Sequence, residues 1–146
     1  RGGERMRNDL TGKSENPVDE KGRVSLPTIF RKPLSDESLV IVKSHDDEFP
    51  HLRLYTIEDY TEFIEKYFES SGGYMAHDIQ HQRKRAALAR GANPIKFDGS
   101  YRIRIEGDLR EYAQITDRVK FQGVYDHVMI MSPEIDDKYE VSVPIY

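Results

Sequence analysis

Two groups of side chains in this sequence have the types and spacing to do chemistry. The first is a short basic loop, Asp19-Glu20-Lys21-Gly22-Arg23. Gly22 frees the backbone for a tight turn. Arg23 presents a planar fork of donors beside the mobile ammonium of Lys21, a pair suited to anionic and acceptor-rich partners. On residues alone Arg23 reads as an exposed strand charge, and Arg31 either meets phosphate or braces the loop by pairing with Asp19. The second group would hold metal or phosphate, and each member falls short. Gly12-Lys13-Ser14 has the end of a phosphate loop, but Arg7 stands where the full pattern needs glycine. His77 and His81 sit one helical turn apart, yet Asp78 replaces the glutamate of the zinc-protease motif. They read as two surface histidines. Asp46, Asp47 and Glu48 lack the glycine-bearing calcium loop. No catalytic set is tied together by local spacing, so neither an enzyme, a metal nor a cofactor is expected.

Composition sets the frame for that loop. The 146 residues allow about one ordinary domain. With no cysteine, disulfides and thiolate metal sites are excluded. No apolar run approaches the roughly 18 residues of a membrane span, and a soluble cytoplasmic protein is the expectation. The net charge of -4 does not advertise nucleic acid, but its distribution is uneven. Residues 1–34 carry +3, residues 35–69 carry -7, residues 70–97 carry +4 and residues 98–146 carry -4. Acidic segments can therefore face away while basic loops meet phosphate, because the local field matters more than the total. The chain opens on Arg1-Gly2-Gly3, and residues 1–9 read as a flexible extension.

The elements that must position the loop are legible in part. Arg23-Val24-Ser25-Leu26 alternates as a half-buried strand, and Pro27 starts a short helix that Pro33 ends or kinks. Leu39 to Val42 and Leu52 to Tyr55 read as strands. Thr56 caps a helix whose Ile57, Tyr60, Phe63, Ile64, Tyr67 and Phe68 share one face. A second helix is expected from about Tyr74 to Arg90, its cations complementing the helix dipole. Strands follow at Ile95–Phe97, Tyr101–Ile105, Val119–Val124 and Val128–Met131, with a short helix near Gly107 to Ala113. Ser132-Pro133-Glu134 signals another helix start. The tail from Val141 to Tyr146 alternates like an edge strand.

This order repeats. Asp19, Arg23, Val24, Leu26, Phe30 and Arg31 recur 79 positions later as Asp98, Arg102, Ile103, Ile105, Leu109 and Arg110. Leu54-Tyr55-Thr56 recurs as Ile130-Met131-Ser132, at an offset of 76. Each half thus reads as turn, strand, helix, strand, strand, helix. The second copy departs at the loop. Tyr101 replaces Gly22, Ser100 replaces Lys21, Glu106 replaces Pro27, and Arg104 is added. Gly99 could move the turn two residues earlier. The altered loop either binds with changed geometry or only supports the fold.

The run Asp19-x-x-Gly22-Arg23-Val24-x-Leu26-Pro27, followed by Phe30-Arg31, resembles the signature of the MraZ family, which is similar to the AbrB and SpoVT swapped-hairpin transcription factors. The resemblance spans about residues 10 to 134. It implies an α+β fold of two tandem AbrB-like half-modules, swapped-hairpin units of a double-ψ-type small barrel, with peripheral helices. The first half-module is placed at 10–73, a helical connection at 74–94 and the second, altered half-module at 95–146. It implies a homo-oligomer, ring-like, associated with the nucleoid. That assembly would repress transcription by binding double-stranded DNA at short tandem repeats upstream of the division and cell-wall gene cluster. The DNA-contacting residues would be Lys21, Gly22, Arg23, Arg31, Arg102 and Arg104, with Arg23 bridging guanine O6 and N7 and Lys21 on phosphate. The alternative on the same fold is an oligomeric adaptor that binds protein and not DNA.

Overall fold

The computed structural model describes residues 9–35 and 37–142. Residues 1–8 of the expected extension lie outside the described residues. The first half contains β1 (Lys13–Pro17), β2 (Arg23–Ser25), α1 (Thr28–Leu34), β3 (Leu39–Lys43), β4 (Leu52–Thr56) and α2 (Ile57–Glu69). After α3 (Ile79–Arg90), the second half contains β5 (Asn93–Ile95), β6 (Arg102–Arg104), α4 (Gly107–Tyr112), β7 (Arg118–Gly123), β8 (Val128–Met131) and α5 (Pro133–Ser142). The repeat read from the sequence is therefore a repeat of elements.

The two copies interlock through their strands. A six-stranded antiparallel sheet runs β1-β7-β8-β4-β3-β5, and β2 pairs with β6 as a separate ribbon. The first strand of each copy lies against the third strand of the other, β1 on β7 and β5 on β3. The β4–β8 contact joins the copies at the centre. Exchanging each strand for its counterpart leaves this order unchanged, as a pseudo-two-fold would. The expected closed barrel is not formed. The outer strands β1 and β5 stay unpaired with each other, and each carries a proline, Pro17 and Pro94, that lacks a ladder donor and suits an edge.

Alternation along the strands explains the layers. Leu39, Ile41, Leu52, Leu54, Val119, Phe121, Val128 and Ile130 join one core with Val24 and Ile103 of the ribbon, Phe30 of α1 and Leu109 of α4. On the opposite sheet face, Val40, Val42 and Tyr55 pack on Tyr60 of α2, while Met129 and Met131 pack on Ile135 of α5. Strand β3 is thus covered on both faces, which is why Leu39-Val40-Ile41-Val42 reads as an unbroken apolar run. Each helix that leaves the sheet is capped alike. Thr56 Oγ1 accepts from the Asp59 amide and Ser132 Oγ from the Ile135 amide, both at 3.1 Å.

Several expected boundaries move. Strand β1, Lys-Ser-Glu-Asn-Pro, was not expected, because no apolar alternation marks it. The strand expected at Ile95–Phe97 starts at Asn93 and ends at Ile95. The helix expected from Tyr74 begins at Ile79, where the Asp78 carboxylate accepts from the Gln80 and His81 amides. Of its cations only Arg90 lies in the last turn. Val141 and Ser142 finish α5 rather than opening an edge strand, and residues 143–146 of that expected tail lie outside the described residues. The first β-hairpin is longer. Ile41 faces Leu54 across 13 positions, whereas Phe121 faces Ile130 across 9. The offset between copies is 80 at Ile41 and Phe121, one more than at the loops, and the four extra residues of the hairpin that carries the acidic loop at His45–Glu48 bring it down to 76 at Leu54 and Ile130.

Candidate nucleic-acid interface

The ribbon of β2 and β6 carries the candidate site. Its register sets Arg23 opposite Arg104, Val24 opposite Ile103 and Ser25 opposite Arg102. Val24 and Ile103 are buried at 1% exposure each, so period two sends the other four outward. Three arginines therefore share the outer face of one short antiparallel ribbon. Arg104 Nε also donates to the Lys21 carbonyl at 3.1 Å, which ties the second copy's added arginine to the first copy's loop. Five of the six expected site residues, Lys21, Gly22, Arg23, Arg102 and Arg104, gather on this ribbon and its turns.

Each ribbon strand is launched by the same loop. In copy one the Asp19 carboxylate accepts from the Lys21 and Arg23 amides at 2.9 Å and from Arg23 Nε at 2.7 Å. In copy two Asp98 accepts from the Ser100 amide at 2.8 Å, the Arg102 amide at 3.0 Å and Arg102 Nε at 2.8 Å. These bonds hold both carboxyls below the ordinary 3.8, the amide of the paired arginine being the main cause in each case. The Asp19 brace expected from Arg31 is therefore supplied by Arg23. Arg31 lies elsewhere, its Nε donating to the Leu26 carbonyl at 2.9 Å. Arg110 repeats this on the Ile105 carbonyl at the same distance.

The turn residue is where the copies differ. Gly22 has φ of +81°, and a Cβ there would lie 2.7 Å from the Ile105 carbonyl oxygen and 2.8 Å from Arg110 Nε. Tyr101 occupies the equivalent place with φ of +55°. Matching backbone bonds follow, from the Ile105 amide to the Gly22 carbonyl at 2.8 Å and from the Leu26 amide to the Tyr101 carbonyl at 2.9 Å. The turn has not moved to Gly99. Tyr101 adopts the left-handed conformation itself, and its ring carries the Arg31 guanidinium 5.3 Å from its centroid. Arg110 was missed as a site residue, although the match of Leu109-Arg110 to Phe30-Arg31 pointed to it.

A charged ribbon with loops pinned at both ends is a geometry for binding an anionic surface. Among the described residues no group of three or more metal-ligating side chains occurs, and no helix is long and apolar enough to cross a membrane. His81, half of the i, i+4 pair, uses Nδ1 to accept from the Met75 amide at 2.9 Å.

Comparison with known proteins agrees on the family. The profile described as "MraZ protein, putative antitoxin-like" matches residues 10–78. The chain is 32% identical to the transcriptional regulator MraZ of Caldanaerobacter subterraneus subsp. tengcongensis, over 93% of this chain and 90% of the relative. The proteins of that name from Thermoanaerobacter sp. strain X514 and Gluconobacter oxydans are 34% and 31% identical, covering 89% and 84% of this chain and 85% and 75% of their own lengths. The chain belongs to the MraZ family. Its relatives carry the name of a transcriptional regulator, which is not an enzyme class.

Proposed function

We propose that this protein is a sequence-specific DNA-binding transcriptional repressor acting on short tandem repeats upstream of the division and cell-wall gene cluster. One observation carries the reading: Arg23, Arg102 and Arg104 project from the same face of an antiparallel ribbon whose other face is core. The major groove admits a two-stranded ribbon, and an arginine fork matches guanine O6 and N7. Asp19 and Asp98 hold two of these arginines before DNA arrives, which lowers the ordering cost of binding. Lys21 and Arg104 reach phosphate, and Arg31 and Arg110 support the loops from the helices behind them. The names of the relatives support the same class of activity.

The exchange of strands between copies supports an AbrB-like, swapped-hairpin reading of two half-modules, 10–73 and 95–146, joined through 74–94. In a nucleoid-associated homo-oligomer, ring-like in form, one weak ribbon contact per chain is multiplied along tandem sites. The test is fluorescence anisotropy with duplex DNA from upstream of the protein's own gene, over a range of salt. Affinity should fall steeply with salt, and Arg23→Ala should weaken binding about tenfold to a hundredfold. A folded Arg23→Ala protein that binds this DNA as well as the parent would falsify the site. Capture of a protein partner with no DNA binding at low salt would favour the adaptor.

A further inference from the structure

The sheet face away from the ribbon holds a cavity of ≈ 340 Å³ between β3, β4, α2 and α3. Its floor is Val42 and Tyr55, one wall is Tyr60, Phe63 and Tyr67, and the other is Ala87 and Leu88. A second space of ≈ 320 Å³ shares Val42, Tyr60, Ala87 and Leu88 and continues it toward Asn93. Both volumes fall at the small end of the range of about 300–1,000 Å³ usual for ligand sites.

Three features say what would enter. The helix that forms the outer wall is held by few contacts: no residue of α3 is buried. Tyr60 donates to the Leu88 carbonyl at 2.8 Å, His81 and Arg85 make ring contacts with Phe68 and Tyr74, and His81 and Gln82 hydrogen-bond the segment just before the helix. The cavity is lined by rings, of which Tyr60 and Phe63 stack at 12° and Tyr55 tilts against both. Its charged lining residues are all basic. Lys43, Arg53 and Lys84 line it beside His45 and no Asp or Glu does, while Asp108 and Arg90 line the adjoining space. Lys43 and Arg53 are two of only three basic residues in the segment 35–69, the most acidic of the chain. Among the described residues neither Lys43 nor Lys84 forms an ion pair. Their ammonium groups lie over the Tyr112 and Tyr67 rings, at 5.2 and 6.0 Å.

We propose that this cavity is a binding site for a small amphipathic organic anion, an aromatic body seated against Tyr55, Tyr60 and Phe63 with its acid group between Lys43 and Lys84. An apolar pocket flanked by the Lys43 and Lys84 ammonium groups gives such a ligand burial for its rings and charge complementarity for its head. A neutral aromatic gains only the first.

The experiment titrates the full-length protein with two fluorescent probes of similar rings, anilinonaphthalene sulfonate and the uncharged N-phenylnaphthylamine. The proposal expects saturable binding of the sulfonate, one site per chain. Lys43→Ala with Lys84→Ala should weaken the sulfonate about fivefold and leave the neutral probe within about twofold, at an unchanged melting temperature. Ala87→Trp, at a solvent-accessible position of the cavity wall, fills the cavity and should abolish both. Equal losses for both probes in the lysine variant would overturn the anion assignment. Binding that survives Ala87→Trp, or no saturable binding at all because a second copy of the chain covers the groove, would overturn the site.

Discussion

The loops at residues 19–31 and 98–110 perform the same backbone task with different residues. Both hang an Asp carboxylate on two amides and an arginine, and both send a helix arginine back to a strand carbonyl. The left-handed position is filled differently, by glycine in one and tyrosine in the other. The loop is thus defined by the Asp and Arg four residues apart. Glycine matters where the neighbouring chain comes too close for a Cβ. At Gly22 the neighbours are the Ile105 carbonyl and Arg110, and at Tyr101 the side chain is accommodated under Arg31. An aromatic ring has replaced open backbone, and the helix arginine has become its lid.

The largest test of this comparison is at those two residues. Gly22→Ala should destabilise the protein by about 3 kcal/mol, the sum of a left-handed penalty of about 1–2 kcal/mol and displacement of a backbone oxygen. Tyr101→Gly should stay within about 1 kcal/mol of the parent. It relieves the left-handed residue and forfeits a partly exposed ring with its contact to Arg31. Urea unfolding of both variants reads the difference. Equal costs would mean that the tight approach at Gly22 relaxes freely and that the copies are interchangeable.

Next in size is the effect on DNA. If both loops meet the groove, Arg102→Ala should weaken binding by about the same tenfold to hundredfold as Arg23→Ala. The two should combine additively in anisotropy titrations, within experimental scatter, because separate base contacts add when they share no partner. A loss confined to Arg23→Ala would make copy two a structural support only.

How far all this could be read from the chain depends on where the determinants lie. The α2 helix was legible because Tyr60, Phe63 and Phe68 repeat at helical spacing, and β3 because both its faces are covered. The loop motif and its second copy were legible because Asp and Arg are short-range partners. Strand β1 was not. Its order comes from pairing with β7, over 100 residues away, and its side chains are polar. The exchange of first strands between copies is long-range for the same reason, and so is the open sheet. The altered loop misled because Tyr101 suggested lost geometry, whereas Asp98 had kept it.

A smaller comparison tests whether the equivalence extends beyond the loops. Thr56 and Ser132 cap α2 and α5 through hydrogen bonds of equal length. Thr56→Ala and Ser132→Ala should each cost about 1 kcal/mol. Chemical denaturation resolves such a step. A cost for one and none for the other would show that α5, shorter by three residues, is held by its Lys120 contacts with Asp136 and Asp137 rather than by its cap.

The smallest expected effect is a matter of protons. Both loop aspartates titrate below 3.8 when folded, first because of the arginine amide each accepts from and then through the further loop bonds. A carboxyl whose folded pKa is depressed adds stability above its unfolded pKa, and that stability disappears as pH falls through the folded value. The window therefore lies below 3.8 for both loops. Carboxyl-detected NMR across that range should show the Asp19 and Asp98 midpoints together, each below 3.8. Arg23→Ala should raise the first alone and Arg102→Ala the second alone, since each arginine side chain reaches only its own aspartate. A midpoint for Asp98 at or above its ordinary value would mean that Tyr101 loosens the turn in solution, and the likeness of the loops would hold for the backbone trace alone.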